Sequence, residues 1–414
     1  MAKLIGRYRG LPREIYVLFF ARIINSVGAF VFPLLTLIMT NKLGYTSDRA
    51  GLILTLLAVT QAPAMLIGGK LSDHFGRRKL IIIFEILGAT TFIVCGFVPT
   101  SDATIYLIML ASILYAFAYP AMDAMSVDLT NSGNRKAAFS LLYMGFNLGF
   151  AVGPIIGGFL FENLLPLVFI GDAVTTLLSL WLIIRFIPET MPNKDAVQMA
   201  DLEQHQKGSV FEVLMQRKIL IVFALIMMVF QFAYQQWSFA LPQQLDVLFT
   251  GSARKYGWLA GYNGILVILL TPIVTSVVAN WKALRGTFVG GLMYVVAFGM
   301  LIFLKDLPWF YVSVFFLTFG EVIIVIDAQA FIANFSPSSH RARLNSITMM
   351  ISGIGRMLSP LIIGQVIACS TLDAAWIVVS SAALMGAALL FVIMRNKRVD
   401  SQIMRIGDTV EDKQ

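Results

Sequence analysis

Gly69-Lys70-Leu71-Ser72-Asp73-His74-Phe75-Gly76-Arg77-Arg78-Lys79 is the most informative stretch of this 414-residue chain. It sets one acid among four basic residues, with glycines at both ends of the acidic segment, and long apolar runs flank it. Basic loops between apolar runs mark the cytoplasmic edge of a membrane protein. Positive charge alone accounts for neither Asp73 nor the glycines. We read the stretch as a tight turn with a task beyond topology.

Composition widens that reading to the whole chain. Apolar residues make up 58%, charged residues only 13%, and the mean hydropathy is +0.80. Average soluble domains carry about 25% charged and 45–50% apolar residues. The chain is therefore neither disordered, nor a nucleic-acid-binding domain, nor an ordinary cytosolic enzyme. The formal charge of +8 and pI near 9.4 fit basic cytoplasmic loops and require no polyanionic partner.

A bilayer-crossing helix needs roughly 20 apolar residues. Twelve such runs are legible, near 14–40, 50–68, 80–98, 103–126, 138–161, 166–187, 218–244, 256–279, 286–304, 309–333, 344–368 and 374–394. The prediction is an all-α integral membrane fold, multi-pass in a bilayer, with little mass outside it. Placing the N-terminus in the cytoplasm puts 24 of the 31 Lys and Arg residues on that side. Five fall outside (Lys42, Arg49, Arg254, Lys255, Lys305), and Arg22 and Arg356 fall within spans. That bias predicts both termini in the cytoplasm. The first apolar run is too long for a signal peptide and is interrupted by Arg22 and Asn25, so we read an uncleaved span. Cys95 and Cys369 give no metal spacing and no disulfide framework.

The chain also repeats itself. An offset of 206 residues brings Arg135 onto Arg341, Ser140 onto Ser346, Met144 onto Met350 and Gly149 onto Gly355. It also matches Pro154 with Pro360, Ile156 with Ile362 and Gly158 with Gly364. Seven matches in register at half the chain length point to two parallel six-helix halves, with a binding site between them near the midplane. The expected division is 1–187 for the first half, 188–217 for a cytoplasmic linker, 218–394 for the second half and 395–414 for a tail. Within the linker, Ser209-Val210-Phe211-Glu212 reads as a capping box opening a short amphipathic helix, or as part of a plain solvated loop.

Span 5 carries Gly149-Phe150-Ala151-Val152-Gly153-Pro154-Ile155-Ile156-Gly157-Gly158. Glycines at this spacing let a neighbouring helix approach closely, and packing is a sufficient reason for them. Pro154 frees a carbonyl and invites a bend.

Together the loop and span 5 resemble the major facilitator superfamily. The loop matches its G-x-L-x-D-x-x-G-R-[RK]-[RK] signature at Gly69, Leu71, Asp73, Gly76, Arg77, Arg78 and Lys79. Span 5 matches the G-x-x-x-G-P-x-x-G-G pattern of the twelve-helix drug:proton antiporter branch at Gly149, Gly153, Pro154, Gly157 and Gly158. The resemblance implies a rocker-switch fold in which spans 1, 4, 7 and 10 line the cavity. It also implies that Asp73 latches the halves at the start of span 11, in a network with Arg77 and Asp128. There are departures. Span 4 reads Leu114-Tyr115-Ala116-Phe117-Ala118-Tyr119-Pro120, without the branch's arginine. The second-half copy of the loop has decayed to Asn280-Trp281-Lys282-Ala283-Leu284-Arg285. Span 1 lacks the E-x-x-E-R motif of peptide transporters.

Charges inside the bilayer are costly and mark pathways or partners. Glu321 and Asp327 in span 10 and Asp123 in span 4 are the candidates for proton coupling. Glu321 has two other readings, a structural partner for Arg356 or a substrate contact. Arg22 reads as a partner for one of these acids or a snorkelling residue. Glu85 and Asp172 read as structural residues near span ends. Asn25, Gln231, Tyr234, Gln235, Trp237 and Asn263 are candidate cavity or substrate residues, because aromatic and amide linings suit amphipathic ligands. Helix–helix hydrogen bonding is the competing reading for them. His74, His205 and His340 fall in loops.

No nucleotide-binding P-loop run and no clustered Cys/His site is present, so neither cofactor nor metal is expected. The resulting expectation is a non-enzymatic secondary transporter in a bacterial inner membrane. It would act as a monomer and exchange protons for lipophilic or amphipathic compounds. A lipid or glycolipid flippase and a sugar or metabolite exporter are the alternatives within the fold. A membrane receptor or enzyme is the alternative outside it.

Overall fold

The computed structural model describes residues 10–131, 134–191, 218–278, 281–335 and 341–395. The predicted linker helix around Ser209–Glu212, His205, His340 and most of the tail lie outside them. Among the described residues, twelve helices are long and apolar enough to cross a membrane. Spans 1 to 6 are Arg13–Lys42, Ser47–Phe75, Arg77–Phe97, Asp102–Asp128, Ala137–Asn163 and Leu165–Phe186. Spans 7 to 12 are Lys218–Leu248, Ser252–Val278, Ala283–Leu301, Leu307–Ile332, Ile347–Cys369 and Leu372–Arg395. Their outward surfaces are apolar, with Leu66 68%, Phe97 77% and Phe303 79% exposed. That inverts the pattern of a water-soluble protein and suits a hydrocarbon surround.

The described residues form two compact units. The first holds those of Met1–Val197 and Leu241–Ile268, and the second those of Gln198–Ala240 and Leu269–Gln414. In the first unit, span 1 packs on spans 5 and 6, and span 3 packs on spans 4 and 6. In the second, span 7 packs on spans 11 and 12, and span 9 packs on spans 10 and 12. The same four helix pairs thus recur one half-chain later.

Backbone details repeat at nearly the same offset. Span 1 is interrupted after Gly28 and resumes at Val31, ending in a π-helical turn over Ile38–Lys42. Span 7 is interrupted at Gln235, between Lys218–Tyr234 and Gln236–Leu248. The turns that follow these spans each use a glycine with positive φ, Gly44 (φ 68°) and Gly251 (φ 66°). These are backbone conformations that glycine reaches without a side-chain clash.

Span 2 corrects the sequence reading. It continues as helix through Phe75, so Gly69–Phe75 is the last part of a helix and not a tight turn. Nothing between Lys70 and Phe75 breaks a helix, and the chain turns only at Gly76, with φ 100° and ψ 151°. Gly76 also opens span 3. Glu85 and Asp172 are corrected as well, since they lie mid-helix in spans 3 and 6 and not near the ends.

Candidate functional site

The basic loop motif forms a compact polar knot. Arg77 pairs with Asp73 one turn back, and its Nε donates to Asp128 of span 4 at 3.3 Å. It also donates to the Ser72 hydroxyl at 3.0 Å. The Arg77 and Asp128 side chains are 12% and 14% exposed, whereas Asp73 is 70% exposed. Arg78 reaches back to the Ile184 carbonyl at 2.5 Å. Sequence reasoning missed Glu189, which follows span 6. Its carboxylate accepts from Arg77 N at 2.8 Å and Arg78 N at 3.1 Å, capping the first turn of span 3. An acid is favoured there by the orphan N–H groups and the helix dipole. A Cβ on Gly76 would lie 2.6 Å from Glu189 Oε2. Gly69 has no such constraint, its Cβ position meeting only Pro120 Cβ at 3.8 Å. The close approach belongs to Gly68, whose Cβ would sit 2.3 Å from the Phe117 carbonyl of span 4.

The span 5 glycines serve two approaches at once. Cβ atoms on Gly149 and Gly153 would lie 2.5 Å from Ser26 Cβ and 2.7 Å from Ser26 O, both in span 1. Gly157 faces Leu34 and Phe30 of the same span. The other face meets span 8, where a Cβ on Gly158 would stand 2.5 Å from the Ala253 carbonyl. Span 8 answers with Gly257, whose Cβ would stand 2.3 Å from the Pro154 carbonyl, and with Gly261 and Gly264 against Ala151. Helix backbones touch on both sides, a geometry that small residues make available. In the second unit Gly355 repeats the role of Gly149, its Cβ position 1.9 Å from the Met228 carbonyl of span 7.

Polar contacts close the end of the first unit away from the basic loop. Asp246 accepts from Asn41 at 2.8 Å and from the Ser252 hydroxyl at 2.5 Å. Ser47 donates to Gln243 at 2.5 Å, and Arg254 pairs with Glu162 at 2.6 Å. An open recess of about 590 Å³ lies here, lined by Asn41, Lys42, Glu162, Asp246 and Ser252 among others. Beside it, Tyr45 donates to Asp102 at 2.5 Å, and burial followed by that bond raises its phenol above the usual range.

The second unit gathers its polar residues at the break in span 7. The Tyr234 hydroxyl donates to Glu321 Oε1 at 2.8 Å. Arg356 of span 11 donates to Gln231 Oε1 through NH2 at 2.6 Å and Nε at 3.2 Å. Gln236 donates to Ser359, which donates to the Phe232 carbonyl at 2.6 Å. Gln235 bonds Ser238 at 3.0 Å, inside the break itself. Trp237 is buried at 6% exposure; Asn263, 5% exposed, belongs to the first unit. Glu321 lies 14 residues beyond Leu307, the start of span 10, and so about 21 Å along the helix.

The three acids expected to act alike are placed differently. Asp327 is six residues beyond Glu321, about 240° around the helix axis, and points at span 9. It is 4% exposed, its Oδ2 has no hydrogen-bond partner among the described residues, and a Cβ on Gly286 would sit 1.5 Å from that oxygen. Asp123 is exposed on span 4, within Coulombic reach of Arg22 of span 1. Arg356 is also exposed and Arg22 half-buried, so neither is the buried cation that the sequence suggested. Their heads are not enclosed, and Arg356 reaches span 7 through Gln231. Asn25 donates to Thr176 of span 6 at 3.2 Å, a helix–helix bond.

Twelve spans in two similar sets, each with a broken first helix, define a polytopic membrane protein. The family model described as "Major Facilitator Superfamily" matches residues 18–360 and 238–404, and the chain belongs to that superfamily. It is 28% identical to the "Uncharacterized MFS-type transporter YttB" of Bacillus subtilis (strain 168), covering 94% of this chain and 97% of that one. It is 21% identical to the "Na(+), Li(+), K(+)/H(+) antiporter" of Planococcus maritimus (81% and 85% covered). It is 23% identical to the "Tetracycline resistance protein, class B" of Escherichia coli (76% and 78% covered). Among solved structures, a peptide transporter POT in complex with sulfate superposes with a TM-score of 0.77. Their sequence identity is 18%, with 96% of each chain covered, a likeness of fold. The superfamily consists of transporters of small molecules, and the protein is accordingly a multi-pass membrane transporter, not an enzyme.

Proposed function

We propose that the protein is a proton-coupled exporter of lipophilic or amphipathic compounds, working as a monomer by alternating access in a bacterial inner membrane with both termini in the cytoplasm. The observation that carries this reading is span 5. Its motif glycines seat spans 1 and 8 on opposite faces, so one helix joins the two elements whose separation would open this side of the first unit. The likeness to a tetracycline resistance protein supports export, and the likeness to a cation/H⁺ antiporter supports proton exchange. The coupling acid in this reading is Glu321, held by Tyr234 at the span 7 break. Asp123, exposed and within Coulombic reach of Arg22 of span 1, is the second ionisable position in this reading, and charges within spans belong to an aqueous path. Asp73, Arg77 and Asp128 form the latch on the cytoplasmic face, with Asp73 the exposed and exchangeable member.

The test is transport in liposomes under an imposed pH gradient, with a panel of lipophilic cations, lysolipids, sugars and monovalent metal cations. Uptake or release of an amphipathic compound should follow the gradient and collapse in Glu321→Gln. Movement indifferent to the gradient removes proton coupling. Movement of sodium or potassium alone turns the reading to the cation antiporter.

A further inference from the structure

Span 11 carries a charge that the coupling reading leaves unused. Arg356 lies nine residues past Ile347, the first residue of the span, and so about 14 Å along it. Among the described residues it forms no ion pair. Its hydrogen bonds go to a neutral acceptor, the Gln231 Oε1 of span 7, from Nε at 3.2 Å and Nη2 at 2.6 Å. Those two bonds occupy one edge of the guanidinium. A guanidinium carries five N–H groups in a fixed fork, so three remain. They include the Nη1–Nη2 edge, the geometry that takes a carboxylate, sulfonate or phosphate through two parallel bonds.

The helix Arg341–Cys369 that carries Arg356 has two exposed sides. Ile354 and Leu358, 42% and 37% exposed, each lie two residues from Arg356, about 200° around the axis. That side is apolar and suits lipid. The side of Arg356 is different. Asn345, Met349, Ser352 and Gly353 precede it by eleven, seven, four and three residues, the spacing of one helix face. Met349 is 64% exposed, and a Cβ on Gly353 would meet nothing within 4 Å, so the face is open. Asn345 and Ser352 keep it polar, bonding only to Met349 and Thr348 of their own helix. An arginine at such depth is held by water or by an anion, not by lipid. Beside it, an unbranched methionine and an open glycine leave an adaptable apolar bed.

We propose that the exported compound carries an anionic group, a carboxylate, sulfonate or phosphate, which docks on the free edge of Arg356 while its apolar body lies along Met349 and Gly353. The inference rests on the export reading and narrows its substrates to anionic amphiphiles. Gln231 holds the fork in place yet leaves its charge uncompensated, which a carboxylate partner would not do. Tyr234, three residues on, holds Glu321, so the anion site and the coupling acid are fastened to neighbouring positions on one face of span 7. An anion on the free edge leaves both the Gln231 and the Tyr234 bonds in place.

The experiment is binding to the purified full-length protein in one detergent, without any gradient. Three probes share one fluorescent ring system and differ in the head group: pyrenebutyrate, pyrenebutanol and pyrenebutyl-trimethylammonium. Wild type at neutral pH should bind the carboxylate at least about tenfold more tightly than the alcohol, the scale of one charge-assisted hydrogen bond. It should bind the ammonium no more tightly than the alcohol. Arg356→Gln should bring the carboxylate to the level of the alcohol. Arg356→Lys keeps the charge without the fork and should lower the preference, and it decides alone if Arg356→Gln does not fold. Equal binding of carboxylate and alcohol by wild type overturns the proposal, as does a preference for the ammonium. So does a carboxylate preference that survives in Arg356→Gln or is undiminished in Arg356→Lys. Proton coupling fails separately, through transport indifferent to a pH gradient, which would leave the head-group preference standing.

Discussion

Two glycines of the basic loop motif should respond to alanine with opposite signs. Gly76 is buried with φ 100° and ψ 151°, a region essentially restricted to glycine. Holding a side chain there costs about 1–3 kcal/mol. The new Cβ would also lie 2.6 Å from Glu189 Oε2, so the carboxylate must leave the N–H groups of Arg77 and Arg78. Losing a helix N-cap costs about 1 kcal/mol more. The sum is a destabilisation of roughly 2–4 kcal/mol. Gly69 is seven residues earlier, inside the continuous helix Ser47–Phe75, and its nearest neighbour would be Pro120 Cβ at 3.8 Å. Alanine there removes a mid-helix glycine and should gain about 0.5–1 kcal/mol. Thermal unfolding of the two variants in the same detergent, followed by intrinsic fluorescence, measures the difference. Gly76→Ala should unfold well below wild type and Gly69→Ala at or slightly above it. Equal losses at both positions would refute the reasoning, because they would mean that Gly69 also sits in a turn.

Two further variants probe the second unit. Gly286→Ala should reduce the yield of monodisperse protein in size-exclusion chromatography, because its Cβ falls 1.5 Å from Asp327 Oδ2, and Asp327→Ala in the same chain should restore it. No rescue would place the strain elsewhere. Tyr234→Phe and Glu321→Gln should each slow gradient-driven transport, and the double variant should be no slower than Glu321→Gln, since the Tyr234 hydroxyl acts through the Glu321 carboxyl to which it donates at 2.8 Å. Additive losses would separate the two residues.

Much of the fold was legible because its causes are local. Apolar run length gives the spans, and an interior offset of 206 residues gives the repeat, seen again in the breaks at Ala29 and Gln235. Boundaries went astray where local chemistry is silent. Lys70–His74 is polar enough to read as loop, yet nothing in it opposes a helix until Gly76. The opposed faces of Glu321 and Asp327 were within reach, since six residues at about 100° each cannot point the same way. The partners of the site residues were not. Glu189 caps a helix 112 residues away in sequence, and Asp172 caps one 141 residues away, both through backbone N–H groups that no side-chain pattern announces.

The repeat also places different hydrogen bonds at the two breaks. At the 206-residue offset, Glu321 corresponds to Tyr115, and Tyr234 to Gly28. The second unit therefore joins its fourth helix to its broken first helix through a Tyr–Glu bond. The first unit has no acid at that position on span 4. It keeps a tyrosine there and moves the carboxyls to the third and sixth helices, where one caps the break directly. Glycine at position 28 belongs to that exchange. A side chain like that of Tyr234 would collide with Thr175, and with it would go the close packing that carries Asp172 to the Phe30 and Val31 amides. Broken helices thus recur because the fold repeats, while the acid that serves each break is set by which neighbouring helix can approach it.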